Sequence, residues 1–365
     1  MEKDIKILFV VKNMRVASGV ASFVINYYRE LIKYSDIQID LLVVSDVGSI
    51  YYEEISKRSN IYFMPSLRHP IRMILFLKKL FKENQYDILH SNVFNSNAPI
   101  VYYAKKNRVP IRIFHSHTSR NGDSILLRFR NKFFFLINIF YSNVFFACSN
   151  TAGEMTFKNK KFHIINNAIN LHKYFYNDTY RNEIRNGLKI SNDTTIVGVV
   201  GRVTEAKNPD FIIEIAKKLK TDKKKCKILW LGSGNLDEYV KKRIFDEQLE
   251  EQILLLGSVD EVYKYYSAFD VFIMPSVYEG LPIAGIEAQI NGLKCILSSN
   301  ISEEIKITNH CDLIGIDNVE NWCKMISSAD TNRKKNEKAL FYKYDIKYSA
   351  NDLYKLYKHL LERVK

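Results

Sequence analysis

The chain reads as an α/β protein with two doubly wound parallel sheets in tandem. Three observations predict this. Short apolar runs alternate with helically spaced segments up to about residue 150, and the alternation restarts at residue 194. A length of 365 residues favours two domains over one. A hydrophobic content of 47 % is enough for sizeable cores.

The elements follow in order. Residues 6–11 are a first strand and 13–19 a loop. Phe23, Tyr27 and Leu31 give residues 20–33 helical spacing. Strands are expected at 39–44 and 61–64, a helix at 72–82, a strand at 87–90, a helix at 98–107 and a strand at 111–115. The most apolar stretch is 133–148, FFFLINIFYSNVFFAC. It is shorter than the ~20 residues a bilayer span needs, and Asn138, Ser142 and Asn143 interrupt it. It is expected to be a buried helix followed by a buried strand at 144–149. Residues 166–191, polar with scattered Asn and Gly, read as the junction. Beyond it come strands at 194–200, 226–231, 253–256 and 271–274, with helices at 209–219, 236–245 and 261–269. An amphipathic helix at 349–364 ends the chain. The expected division is 1–175, 176–348, and a final helix 349–365 able to pack back on the N-terminal domain.

Charge is uneven. Residues 1–175 hold 25 Lys/Arg against 12 Asp/Glu, whereas 176–365 hold 29 against 28. A basic N-terminal half suits nucleic acid or an anionic membrane face. No recognition helix or aromatic-basic sheet motif is evident, so nucleic acid is not an expected partner. Five separated cysteines without a C-x-x-C pattern point to a reducing compartment, not to disulfides or zinc. No leader is evident, since the first apolar run ends at Lys12. No G-x-G-x-x-G follows a strand and no P-loop occurs, which argues against nicotinamide and P-loop chemistry. No D-x-D occurs either, so no metal ligand set for a diphosphate is expected.

The stretch that concentrates chemistry is 275–289, PSVYEGLPIAGIEAQ. It follows an apolar run, and Pro282 suits the first position of a helix. Gly280 allows a close backbone approach, and the N–H groups around Leu281 to Ala284 would face an anion. Glu279 and Glu287 bracket that anion site with seven residues between them. Each carboxylate can accept hydrogen bonds from two neighbouring hydroxyls. The spacing alone is common and equally describes favourable helix-dipole partners.

A second cluster is GRVTEAKN, directly after the strand TTIVGVV. Gly201, Arg202 and Lys207 stand at the strand's carboxyl end, where cations suit a departing pyrophosphate. Ser18 and Gly19 lie in the loop after the first strand, and Gly19 would let that loop come close to a diphosphate. His115 and His117 end a strand in RIFHSHTSR, and His90 ends another in DILHSN. His90 reads equally as structural or as acceptor-facing.

The segment PSVYEGLPIAGIEAQINGLKCILSS resembles the donor-site segment of family 4 glycosyltransferases, in particular the bacterial capsule and exopolysaccharide enzymes. GRVTEAKN is similar to that family's GR-x4-K motif. Ser18 replaces the first of the two glycines common in the family's first loop, and NNAIN at 166–170 keeps only Asn167 and Ile169 of P-N-G-I-D. The resemblance implies a GT-B fold, two Rossmann-like domains facing across a cleft, with acceptor bound by the first and donor by the second. It implies transfer of a sugar from a nucleotide-diphosphate donor, UDP-sugar being expected, to a glycan or lipid-linked oligosaccharide with retention of configuration. Surface polysaccharide synthesis is the expected setting.

In that reading Arg202 and Lys207 hold the diphosphate with Gly201, Gly280 and Leu281. Glu279 orients the sugar, Glu287 takes the ribose and Gly19 borders the diphosphate. His117 contacts the sugar; His115 is the alternative for that place, and His115 and His90 lie to the acceptor side. No metal or cofactor is required. The expected location is the cytoplasm, peripheral on the inner face of the plasma membrane. The helix in RHPIRMILFLKKLFK, residues 68–82, is the proposed contact. A non-catalytic partner subunit of the same fold is the alternative reading. It would be expected to lose Glu279, Glu287, Arg202 or Lys207, and all four are present.

Overall fold

The structure, a computed structural model, describes residues 4–14, 19–45, 51–117, 125–333 and 338–364, with backbone alone at 125–130 and 338–339. Ser18 lies outside the described residues. The chain forms two compact units. One holds residues 1–169 and 343–365, the other 170–342.

The first unit is a seven-stranded sheet of order β3-β2-β1-β4-β5-β6-β7. Its strands are β1 (Ile5–Val11), β2 (Ile37–Val43), β3 (Ile61–Phe63), β4 (Ile88–Ser91), β5 (Ile111–Ser116), β6 (Val144–Ala147) and β7 (His163–Ile164). Its helices are α1 (Gly19–Leu31), α2 (Tyr52–Ser56), α3 (Pro70–Glu83), α4 (Asn97–Lys106), α5 (Ile125–Tyr141) and α6 (Asn150–Phe157). All adjacent strands are parallel. One sheet face packs Ile7, Phe9, Ile88 and Ile113 against α1. The other packs Leu8, Val10 and Leu89 against α3 and α4.

The second unit is a six-stranded sheet of order β10-β9-β8-β11-β12-β13. After α7 (Leu171–Tyr174) and α8 (Asp178–Gly187) come β8 (Thr195–Val200), α9 (Pro209–Thr221), β9 (Cys226–Leu231), α10 (Asp237–Asp246) and β10 (Ile253–Gly257). Then follow α11 (Val262–Ala268), β11 (Val271–Met274), α12 (Ile283–Ile290), β12 (Lys294–Ser298), β13 (Cys311–Ile314) and α13 (Val319–Ser327). Helix α14 (Ile346–Glu362) returns to the first unit. There Tyr354 stacks on Tyr34 at 4.0 Å and donates to Asp36, while Leu353, Tyr357 and Leu360 join the α1 core.

In both sheets the winding direction reverses between two neighbouring strands, β1/β4 and β8/β11. Ligands of such sheets bind outside the carboxyl ends at that reversal. Gly19 follows β1, His90 sits on β4, Gly201 follows β8, and the stretch from 275 follows β11.

The two compact units meet the chain at residues 169/170 and 342/343, a few residues from the expected divisions at 175 and 348, and Ile169 and Asp345 form a parallel bridge within the first unit. Two sequence expectations are corrected. The stretch 166–191 is not a plain linker. It contains α8, whose Arg185 is 1 % exposed and donates to Ala268 O, Asp270, Ser191 O and Thr194 O. The apolar stretch from 133 is not a fully buried helix. Phe133, Leu136 and Phe140 of α5 are 61 %, 57 % and 70 % exposed.

Asp270 binds Arg181 and Arg185 and accepts from Ile196 N at 2.7 Å. Removing Arg185 leaves Asp270 short of a partner and removes four hydrogen bonds, three of them buried. Arg185→Met should destabilise the second unit by about 3–5 kcal/mol. Both tryptophans, Trp230 and Trp322, lie in that unit, so urea unfolding followed by tryptophan fluorescence reads it selectively. A midpoint equal to wild type would show that the network contributes no stability.

Candidate active site

In the second unit the site starts at the carboxyl end of β8. Gly201 has φ +152°, and a Cβ there would meet Lys207 Cε at 2.6 Å. The chain then makes one 3-10 turn, Glu205–Lys207, and passes through Asn208 in the left-handed region before α9 begins at Pro209. That turn folds Lys207 back under Gly201. Lys207 Nζ sits 2.7 Å from Glu279 Oε1 and 3.7 Å from Met274 Sδ. Val277 N donates to Ala206 O at 2.9 Å, clamping the two loops together. The structure therefore brings together Lys207 and Glu279, two candidates 72 positions apart in the sequence. Arg202 is exposed and has no ion pair among the described residues.

Helix α12 begins at Ile283, so Pro282 is its N-cap and not its first residue. Pro282 O accepts from Gly285 N and Ile286 N, which leaves the amides of Ile283 and Ala284 at the helix start. Glu287 is 7 % exposed, and its Oε2 accepts the Tyr266 hydroxyl at 2.6 Å. Burial pushes the Glu287 carboxyl up, and the Tyr266 and Tyr174 hydroxyls oppose that. Gln289 fixes the helix from below. It donates to Gly285 O and Ile305 O and accepts from Ile307 N and Thr308 N.

Sequence reading missed the loop after β9. A Cβ on Gly232 would meet Gly201 O at 2.2 Å, and one on Gly234 would meet Val203 O at 1.9 Å. The two strand-end loops thus lie backbone on backbone, which only glycine permits. The signal was present as GSG at 232–234 directly after a strand. Tyr266, the partner of Glu287, carried no motif. A concavity of about 330 Å³ lies elsewhere, at the amino ends of β12 and β13, lined by Lys294, His310 and Asp330. It touches none of the candidate residues.

In the first unit the three histidines form one cluster. Tyr357 on α14 lies 2.5 Å from His90 Nδ1, and His90 Nε2 lies 3.0 Å from His115 Nδ1. His90 thus has a hydrogen-bond partner on each ring nitrogen, whereas His115 Nε2 is buried without one. The His117 ring lies 4.0 Å from that of His115, and its Nε2 pairs with Asn92 Oδ1 at 2.9 Å. Phe23 packs edge-on against His115 and His117. His90 and His115 are 0 % and 2 % exposed, so they support the cluster; His117 alone is partly exposed. Gly19 is exposed at the start of α1, with open space where a Cβ would stand. The fold itself does not demand glycine there.

Residues 180–344 match the family model of glycosyl transferases group 1, and residues 17–173 that of glycosyltransferase family 4. The chain belongs to this glycosyltransferase family. It is 29 % identical over 82 % of its length to a Bacillus subtilis protein named as a candidate glycosyltransferase, EpsF, covering 80 % of it. It is 25 % identical to the Escherichia coli UDP-Gal:alpha-D-GlcNAc-diphosphoundecaprenol alpha-1,3-galactosyltransferase, over 86 % of this chain and 84 % of that one. The capsular polysaccharide glycosyltransferase CapH of Staphylococcus aureus is 28 % identical over 64 % of each chain. Among solved structures, Anabaena HepE with UDP and glucose superposes with a TM-score of 0.81 at 12 % identity, covering 97 % of this chain and 99 % of that one. Sucrose-phosphate synthase from Thermosynechococcus elongatus gives 0.79 at 15 %, covering 98 % and 100 %. The fold of this glycosyltransferase is GT-B.

Burial holds all three histidines of the cluster well below the usual imidazole range, His117 at about 3. The folded pKa values thus lie below the unfolded one, near 6.5. As pH falls below about 6.5, the unfolded chain takes up protons that the folded chain refuses. This stability is complete above that pH and is lost progressively towards pH 3, on the order of 1 kcal/mol per pH unit for His117. Thermal unfolding between about pH 7 and pH 4 should show the fall. In His117→Asn the pH dependence should be shallower. An identical slope in that variant would mean that His117 titrates as freely in the fold as outside it.

Proposed function

We propose that this glycosyltransferase moves a sugar from a nucleotide-diphosphate donor, UDP-sugar, to a lipid-linked oligosaccharide or other glycan acceptor in surface polysaccharide synthesis. The observation that carries this reading is the Lys207–Glu279 pair at the carboxyl end of β8, beside the start of α12. The pair holds a cation and a hydroxyl-binding carboxylate within one hydrogen bond of each other, as a sugar diphosphate requires. The UDP-linked donor and the diphospho-lipid acceptor in the name of the Escherichia coli relative support the choice of both substrates.

In this mechanism the anomeric C–O bond to the diphosphate breaks, and charge grows on the leaving oxygens. Arg202, Lys207 and the amides at the start of α12 stabilise it, as fixed donors at a site of growing negative charge do. Glu279 accepts hydroxyls of the sugar. Glu287, steadied by Tyr266, accepts the ribose hydroxyls. Neutral His117 offers an imidazole nitrogen to the transferred sugar. The acceptor hydroxyl attacks from the face the diphosphate leaves, configuration is retained, and the hydroxyl proton passes to the departing diphosphate. The cations and helix amides replace a divalent ion, so the reaction is proposed to be metal-independent. The reducing interior of the cell is the proposed location.

Arg202→Ala and Lys207→Ala should each lower kcat by about two to three orders of magnitude while thermal unfolding stays near wild type. Release of labelled UDP from UDP-sugars measures this. Full turnover in both variants would remove the two cations from the mechanism. Initial rates should also persist in excess chelator; a complete loss restored by Mg²⁺ would overturn metal independence.

A further inference from the structure

The apolar side chains on the helical layer α3–α4–α5 of the first unit call for a covering partner. Ile71 and Leu75 of α3 are 72 % and 60 % exposed. On α5, Phe133, Leu136 and Phe140 stand at helical spacing and form one exposed stripe. Helix α4 packs against both neighbours and lies between them. Its Tyr102 meets Tyr141 at 5.3 Å, and Tyr141 meets Phe140 at 4.9 Å, so the stripe continues onto α4. Lys105 lies over the Phe140 and Tyr141 rings at 5.1 and 5.4 Å.

The charge of this layer is one-sided. The three helices contain nine Lys/Arg, among them Arg72, Lys78, Lys105 and Lys132, and a single acid, Glu83. The first unit as a whole holds 30 Lys/Arg against 15 Asp/Glu, and the second 24 against 25. No helix among the described residues is long and apolar enough to cross a membrane.

We propose that this layer docks the protein on an anionic bilayer surface, with the α5 stripe entering the lipid interface and the cations of α3 and α4 meeting headgroup phosphates. Exposed aromatic and aliphatic side chains ringed by Lys/Arg fit the boundary between acyl chains and charged headgroups. A second copy of the chain fits poorly, since it would set two strongly cationic faces against each other. The docking deepens the lipid-linked acceptor reading: it would hold the enzyme where a diphospholipid acceptor resides. It stands on the exposure and charge of this layer, and the test contains no sugar transfer, so the two readings fail separately.

Flotation of the full chain with vesicles is the experiment. The protein should rise with phosphatidylglycerol-rich vesicles at low salt, stay behind with phosphatidylcholine alone, and be released as salt rises. The pair Phe133→Ser and Phe140→Ser should lower the bound fraction about tenfold. The pair Ile71→Ser and Leu75→Ser gives a second readout should the first fail to fold. Absence of flotation on anionic vesicles at low salt overturns the proposal. So does binding that both pairs of substitutions leave unchanged. A wild-type dimer in sedimentation that the α5 pair converts to monomer would likewise overturn it, by showing that a second copy covers the face.

Discussion

The register of β8 against β11 is the constraint on which the Lys207–Glu279 site of the second unit depends. Asp270 sets it just before β11 begins. Its amide donates to Ile196 O at 2.8 Å, and its carboxylate accepts from Ile196 N at 2.7 Å. A buried carboxylate is tolerable only when paired and hydrogen-bonded, and Arg181 and Arg185 supply the charge. Phe269 then fills the space over Gly198, where a Cβ would sit 2.1 Å from its ring. With Val271 held opposite Val197, Met274 and Gly201 finish at the same edge of the sheet. Lys207 reaches both Met274 and Glu279 from there. A slip of one residue would turn every side chain of β11 to the other face and part this group. The chemistry at one end of the strands rests on an ion network at the other.

Much of this was legible in the sequence because parallel strands and their helices are local patterns. The apolar runs gave β8, β9 and β11 almost to the residue. The resemblance at 275–299 singled out the segment that holds Glu279 and the start of α12 without any three-dimensional information. What the sequence hid was tertiary. Arg185 lies in a polar stretch that reads as a linker, and its hydrogen bonds, with those of Arg181, show that α8 belongs to the domain. Tyr357 is 267 positions from His90, and no periodicity links them. The apolar run from Phe133 was read as buried because hydropathy counts side chains and not faces. The helix buries Asn138, which donates to Phe94 O, and exposes Phe140.

The histidine cluster illustrates how burial selects a chemical state. No carboxylate is hydrogen-bonded to these rings among the described residues, and desolvation disfavours their cations. A neutral imidazole has one donor and one acceptor, so a ring that uses both nitrogens passes the direction of the hydrogen bond on to its neighbour. Tyr357 supplies the hydroxyl at one end of this chain from α14, so the last helix takes part in the cluster and is more than a covering element. With Nε2 of His117 paired with Asn92, the proposed contact with the sugar would fall to Nδ1.

The two units also handle charge differently. The second, which carries the proposed donor residues, has a net charge of −1, while the first has +15. The overall field of the second unit would not draw a diphosphate, so the recognition proposed above is local, through Arg202, Lys207 and the amides at the start of α12. At the ionic strength of a cell, charges beyond about 8 Å are largely screened, so local placement outweighs net charge. The pairing of Lys207 with Glu279 fits this economy. Without a ligand the carboxylate balances the cation in a partly buried place. In the proposed complex with a sugar diphosphate, each partner would gain a new one: phosphate for the lysine, hydroxyls for the glutamate. In the proposed docking, net charge matters for the first unit instead, where the cations line an exposed apolar layer and the counter-charge would be a surface and not a molecule.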